Sequence, residues 1–121
     1  MNNTLDILIV GGGPIGLACG LEAKKAGLSY QIIEKGTITN SLFNYPLNMT
    51  FFSTADRLEI GGFPFPSIHP KPNRSEALEY YRRVADTGEL NIRLFEEVTG
   101  ISREGALYLT NTSKGNYQSR N

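Results

Sequence analysis

The sequence predicts an α/β fold, and three observations carry that prediction. An apolar tetrad, Ile7-Leu8-Ile9-Val10, stops at a run of glycines. A helical stretch with one face of small residues follows, and a second apolar segment then ends in an acid, Glu34. Strand, glycine turn, helix, strand is the order in which a parallel sheet is wound, because parallel strands need a crossover between them.

The first strand is expected over Leu5–Val10. Its branched apolar residues suit a strand covered on both faces, and Gly11 stops it. Gly11-Gly12-Gly13-Pro14-Ile15-Gly16 then satisfies G-x-G-x-x-G through Gly11, Gly13 and Gly16. The helix runs from Pro14 to Ala26. Pro14 suits its first position, where the N–H it lacks would have no partner. Gly16, Cys19, Gly20 and Ala23 recur at spacings of three and four, so Cys19 is expected to be a small core residue. Gly27 stands where a left-handed C-cap belongs. Leu28–Glu34 is the second strand, with Ile32 and Ile33 at its centre.

Each part of this unit has a role in holding a dinucleotide. Gly11 permits the tight turn, Gly13 has no side chain to keep a diphosphate from the backbone, and Gly16 lets helix and strand approach. The helix N-terminus offers unpaired N–H groups and positive potential to phosphate. Glu34 can accept from both ribose hydroxyls and repels a 2′-phosphate, so the site should prefer FAD or NAD(H) to NADP(H). A glycine triplet alone is weak evidence. Here it follows a strand, opens a helix and is followed by an acid at the next strand end, as the mechanism requires.

Residues 35–73 form a long stretch of low periodicity with five prolines and six aromatic residues. Loops of this length are uncommon in a small domain unless functional. It is expected to wrap a flat ring system, with Asn44, Thr50 and Ser53 offering polar contacts. Short helical turns are expected near Thr39–Phe43 and Ser53–Leu58. His69, in His-Pro-Lys-Pro, reads as an exposed loop residue without a catalytic partner.

Asn73–Gly88 is an amphipathic helix. Asn73 and Glu76 have capping-box spacing, Leu78, Tyr81, Val84 and Ala85 form its apolar stripe, and Glu79 and Arg83 can pair. Asn91–Phe95 is a third parallel strand. Glu97–Arg103, Ala106–Thr112 and Gly115–Arg120 then read as a three-stranded antiparallel meander with turns at Glu104-Gly105 and Ser113-Lys114-Gly115.

Composition narrows the function. The chain has 121 residues, 12 Lys+Arg against 12 Asp+Glu, one Cys and one His. Zero formal charge gives no electrostatic reason to expect nucleic acid or an acidic membrane. A single Cys and a single His supply neither a disulfide framework nor a zinc or iron–sulfur site. No apolar run is long enough to span a bilayer, and no basic stretch precedes an apolar core at the N-terminus. A cytoplasmic location is expected.

Asp-Ile-Leu-Ile-Val-Gly-Gly-Gly-Pro-Ile-Gly-Leu at 6–17 and Ile-Ile-Glu-Lys-Gly at 32–36 resemble the N-terminal FAD half-site of two-dinucleotide-domain flavoproteins. Asn44-Tyr45-Pro46, Thr50-Phe51-Phe52-Ser53 and Lys114-Gly115-Asn116-Tyr117 narrow the resemblance to the thioredoxin reductase-like YpdA family of bacillithiol disulfide reductases. It covers nearly the whole chain. It implies a Rossmann-like three-layer FAD-binding half-domain, with FAD here and NADPH in a second, inserted domain. Hydride would pass from nicotinamide to flavin, and electrons then to a small-molecule disulfide. By position, Gly11, Gly13, Pro14, Ile15 and Gly16 would hold the pyrophosphate, and Glu34 and Lys35 the adenosine ribose. Val98 would present backbone groups to adenine, and Asn44, Tyr45, Thr50 and Ser53 would lie toward the flavin.

The sequence departs from the family pattern at two places. Ile15 stands where members often carry a cysteine in the glycine turn, so a thiol relay there has no residue, and no catalytic residue is assigned. Residues 1–121 contain neither a second glycine fingerprint nor Cys-x-x-Cys, so the chain reads as an incomplete domain of a longer protein. By itself it is expected to bind FAD weakly or not at all, to have no turnover, and to self-associate through an open sheet edge or the flavin-side surface. Two other functions fit the same residues: the FAD domain of a flavin monooxygenase-like enzyme, supported by Phe63-Pro64-Phe65-Pro66, and a non-catalytic module for NAD(H) or an adenine nucleotide.

Overall fold

The computed structural model describes residues 3–67 and 69–121. In chain order the elements are β1 (Ile7–Val10), α1 (Pro14–Lys25), β2 (Tyr30–Ile33), α2 (Asn40–Phe43), α3 (Ala55–Leu58), α4 (Arg74–Thr87), β3 (Ile92–Arg93), β4 (Val98–Glu104), β5 (Leu107–Thr112) and β6 (Gly115–Ser119). They form two sheets. In the first, β2 lies between β1 and β3 and all three are parallel; in the second, β4, β5 and β6 make an antiparallel meander.

The layers follow from the alternation along β1. Ile7 and Ile9 point to the α1 side and pack with Ala23, Tyr30 and Ile32. Leu8 and Val10 point the other way and share a cavity with Ile101, Tyr108 and Thr110 of the meander. The parallel sheet is therefore the middle of three layers. Gly20 explains how close α1 lies: a Cβ there would stand 2.7 Å from Ile32 Cδ1. Gly27, at φ 74°, turns the chain out of α1 into β2.

Cys19 corrects the sequence expectation, because it is exposed. The buried positions of α1 are Leu17, Gly20 and Ala23, a stripe centred away from residue 19. Residues 16, 20 and 23 alone suggested a narrow face. Leu17 draws the buried arc round toward the second core, leaving Cys19 beyond its edge.

That second core lies beneath the long central segment. Leu17, Leu42, Phe65, Leu78, Tyr80, Tyr81 and Val84 are its principal buried side chains. α4 begins with the expected capping box: Asn73 Oδ1 accepts from the Glu76 N–H at 2.9 Å, and Glu76 Oε1 accepts from the Asn73 N–H at 3.1 Å. Two tyrosines of α4 hold the loop down by their hydroxyls. Tyr80 donates to the Phe63 carbonyl at 2.6 Å and accepts from the Ile60 N–H at 3.0 Å, while Tyr81 donates to the Leu58 carbonyl at 2.7 Å. The Tyr80 ring stacks on Phe65 at 4.4 Å between centroids. Tyr80 was absent from the expected stripe. It is buried because the 58–65 loop folds over the flank of the helix.

β3 is shorter than the expected strand. Phe95 takes φ 55°, which a β-ladder does not accommodate, so the chain leaves the sheet and crosses toward the meander. At the other edge, residues 118–121 come alongside β1. The Leu5 N–H donates to the Gln118 carbonyl, the Arg120 N–H to the Leu5 carbonyl and the Leu8 N–H to the Asn121 carbonyl, at 2.9, 2.9 and 3.0 Å. Part of the outer edge of β1 is thus occupied by residues 118–121. No helix among the described residues is long and apolar enough to cross a membrane.

Candidate functional site

The glycine turn carries β1 into α1 across the top of the parallel sheet. Gly11 takes φ 112°, a conformation that L side chains rarely adopt. At Gly16 a Cβ would collide with the Gly11 carbonyl oxygen and stand 3.0 Å from its carbonyl carbon. Gly13 is different. No atom lies within 4 Å of where its Cβ would stand, so the space before the helix is filled by nothing from the protein. Pro14 occupies the first turn of α1, as expected.

Glu34 is the centre of the site. Only 6% exposed, it accepts from the Gly12 N–H at 2.9 Å through Oε1 and from the Gly36 N–H at 2.6 Å through Oε2. One carboxylate therefore ties the glycine turn to the loop after β2. The Thr39 N–H adds a third tie by donating to the Gly12 carbonyl at 2.8 Å. Thr39 is buried and takes φ 50°, the left-handed region that threonine avoids.

Two cavities meet at Glu34. One, of about 320 Å³, is lined by Val10, Gly11, Glu34, Lys35, Glu96 and Val98 among others. The second, of about 120 Å³, is lined by Gly13, Pro14, Glu34, Lys35, Asn40 and Ser41 among others. The chain thus makes an extended concavity with an acid at its middle, glycine backbone at one wall and the start of a helix at one end. This shape and donor set fit a dinucleotide: an acceptor for sugar hydroxyls, amides for phosphate, and a separate recess for a base.

Of the residues singled out in the sequence, Gly11, Gly13, Pro14, Glu34, Lys35 and Val98 line these two cavities. Gly16 lies behind the turn, where its lack of a side chain permits the close approach. Ile15 is 84% exposed and projects from the first turn of α1. Asn44, Tyr45, Thr50 and Ser53 do not line either cavity. Asn44 donates to the Asn40 carbonyl at 2.9 Å, Tyr45 is exposed, and Ser53 is half-buried. Thr50 lines a different recess, of about 410 Å³, with His69, Pro70, Lys71 and Asn73.

The sequence reading missed Thr39, Asn40 and Ser41, the polar run that opens α2, and it missed Glu96. Glu96 is 1% exposed, yet it sits in a stretch that reads as a solvated loop. Its Oε2 accepts from Thr112 Oγ1 at 2.6 Å and from the Tyr117 hydroxyl at 2.8 Å. Burial acts to raise its pKa, but these two hydrogen bonds and the charges of Arg93 and Lys114 prevail, and the carboxyl is held below its ordinary range. Burial raises Tyr117 in turn, and the bond to Glu96 adds to it. Arg93 completes the group, with its guanidinium 5.7 Å from the centre of the Tyr117 ring. Among the described residues there is no group of three or more His, Cys, Asp or Glu able to hold a metal ion.

Comparison with known proteins gives the family and the fold. The family model described as pyridine nucleotide-disulphide oxidoreductase matches residues 8–121. A bacilliredoxin reductase, Bdr, from Bacillus subtilis (strain 168) is 47% identical over 77 residues, which cover 64% of this chain and 24% of that protein. The solved structure of the bacillithiol disulfide reductase Bdr (YpdA) from Staphylococcus aureus superimposes with a TM-score of 0.94 at 39% identity. The match covers 98% of this chain and 37% of that one. A flavin monooxygenase from Stenotrophomonas maltophilia, a Q193R H194T mutant, gives a TM-score of 0.91 at 26% identity, again over 98% of this chain and 37% of that one. The chain spans well under half the length of each of these relatives.

Proposed function

The chain belongs to the pyridine nucleotide-disulphide oxidoreductase family, and from that premise we propose that it is the FAD-binding part of an NADPH-dependent flavin oxidoreductase that reduces a low-molecular-weight disulfide of the bacillithiol type. The observation that carries this reading is the Glu34 carboxylate, locked between the Gly12 and Gly36 amides at the meeting point of two cavities.

In this assignment each region of the concavity takes one part of FAD. The amides opening α1, with Gly13 leaving them uncovered, take the diphosphate. Glu34 accepts from the adenosine ribose, Lys35 lies beside it, and the recess ending at Val98 takes adenine. Asn44, Tyr45, Thr50 and Ser53 belong to the flavin side, beyond the two cavities. When bound, FAD supplies the two-electron chemistry that links a nicotinamide to a disulfide. The residues of this chain bind and orient it. NADPH is assigned to a region that the chain's own glycine fingerprint does not supply, because Glu34 opposes a 2′-phosphate.

The test is a titration of FAD into the flavin-free form of an enzyme carrying this domain, followed by flavin fluorescence. Saturable quenching reversed by ADP, and not reversed by 2′-phosphorylated ADP, is expected. Quenching that never saturates, or equal competition by the two adenine nucleotides, would refute the assignment. A second reading, the FAD part of a flavin monooxygenase-like enzyme, is favoured by the superposition on the Stenotrophomonas maltophilia protein. An enzyme carrying this domain separates the two: given NADPH and bacillithiol disulfide, the first reading requires thiol release without oxygen uptake.

A further inference from the structure

We infer that Glu96 is a positioning residue for base recognition, holding the Val98 backbone edge at the end of the larger cavity so that the edge distinguishes adenine from other purines. The inference rests on the dinucleotide reading of the site and goes beyond it, since it names what sets the base preference.

The argument starts from the segment's irregularity. Residues 95–97 are not in a strand, and the first of them, Phe95, takes φ 55°. Such a segment holds one shape only if its backbone is tied down. Here every residue is. The Phe95 N–H donates to the Gly36 carbonyl at 3.1 Å, and the Glu96 N–H donates to the Glu34 carbonyl at 3.0 Å. The Glu97 N–H donates to Ser113 Oγ at 3.0 Å, and the Glu97 carbonyl accepts from the Ser113 N–H at 2.8 Å. The first two ties reach the loop after β2, and the third and fourth reach the turn between β5 and β6 of the meander. Glu96 is where the two sets join, and its side chain binds Thr112 of β5 and Tyr117 of β6.

A buried carboxylate is an expensive way to fill space. Its return here is geometric. Two hydroxyls converging on one oxygen fix the meander against the 95–97 segment, and Val98 follows directly, with a register irregularity between Val98 and Gly100. Without Glu96 the meander keeps its own ladder and its backbone bonds to residues 5–8, but the side-chain tie that sets residues 96–98 against β5 and β6 is gone.

Base identity reports on that tie. Adenine presents an acceptor beside an amino donor; hypoxanthine presents the reverse pair. A correctly placed backbone edge therefore separates ADP from IDP, which carry the same charge and sugar. The wild-type chain is expected to bind ADP about tenfold more tightly than IDP, measured by calorimetry. In Glu96→Ala and in Tyr117→Phe the ratio should fall to within about twofold, while Glu96→Gln, which keeps an acceptor for both hydroxyls, should restore part of it.

A purely structural role is separated by the ratio itself. Partial unfolding lowers both affinities by one factor and leaves the ratio where it was. Variants with weakened binding and an unchanged ratio would overturn the inference, and so would a wild-type chain that binds ADP and IDP equally. The second result would leave the dinucleotide reading intact. Failure of the wild-type chain to bind either nucleotide would remove both. If Glu96→Ala does not fold, Tyr117→Phe carries the test, because it removes one hydroxyl and keeps the ring against Arg93.

Discussion

Two alanine substitutions in the glycine turn should have opposite effects on stability and binding. At Gly16 the new Cβ meets the Gly11 carbonyl oxygen far inside contact distance, and Ile9 Cγ2 stands 3.6 Å away on another side. The turn must retreat by roughly 1 Å to accept it. It is not free to do so. The Gly11 N–H is bonded to the Ile33 carbonyl at 2.8 Å, the Gly12 N–H to Glu34 at 2.9 Å, and the Gly12 carbonyl to the Thr39 N–H at 2.8 Å. Stretching two of these costs about 1–2 kcal/mol together and overpacking adds about 1 kcal/mol, which predicts that Gly16→Ala destabilises the chain by about 2–3 kcal/mol. In a protein of this size that lowers Tm by roughly 6–15 °C. At Gly13 there is no steric term, and its φ of −81° suits any residue. Alanine is a slightly worse N-cap than glycine, which costs a few tenths of a kcal/mol, and it restricts the unfolded chain by a similar amount, so Gly13→Ala should be neutral within about 0.5 kcal/mol. Its methyl group, however, projects into the space assigned to the diphosphate, and FAD binding should be lost. Urea unfolding of both variants, and FAD titration of the same substitutions in an enzyme carrying this domain, provide the assay. Equal stability of Gly16→Ala and wild type, or full FAD binding by Gly13→Ala, would refute this account of the turn.

Three further outcomes are expected. Hydrogen bonds from Ser67 first, and then from the Asn73 backbone, hold the Glu76 carboxyl below its ordinary range, and Glu96 is held low as well. The unfolded chain therefore binds the extra protons, and stability that is complete above about pH 5 should fall as pH drops through the native values; urea midpoints from pH 7 to 3 check this, and Glu76→Gln should flatten the decline. Arg74 is buried and donates to the Leu42 and Phe43 carbonyls at 3.1 and 2.6 Å, so Arg74→Met should cost about 2–3 kcal/mol by urea unfolding. Cys19 should react stoichiometrically with a thiol reagent in the folded chain, and Cys19→Ser should leave the urea midpoint unchanged.

Local rules were readable in the sequence where they decide the structure alone. The glycine turn, the proline opening α1, Gly27 at its end and the Asn73–Glu76 capping box each depend on neighbours within a few residues, and each stands where the sequence puts it. Alternation gave the meander for the same reason. Long-range packing decided the remainder. Cys19 lies outside the core because Leu17 turns α1 toward a cluster built from α4 and the central loop. Tyr80 is buried by the 58–65 loop, which lies outside its own helix. Glu96 is the clearest case: a charged residue after a strand reads as solvated, and only Thr112 and Tyr117 arriving from β5 and β6 make a buried carboxylate there tenable. At the site, the wall formed by Asn40 and Ser41 depends on how α2 is seated by Arg74, which no local pattern reveals.

The double engagement of Glu34 also bears on how variants there must be interpreted. Both of its oxygens have amide donors before any sugar arrives, so the acceptor is already aimed and little ordering remains to be done when a nucleotide docks. The same economy makes position 34 a poor choice for a binding-deficient control. Shortening the side chain would strand two backbone donors and loosen the loops that shape both recesses, so lost affinity and lost rigidity would arrive together and could not be told apart.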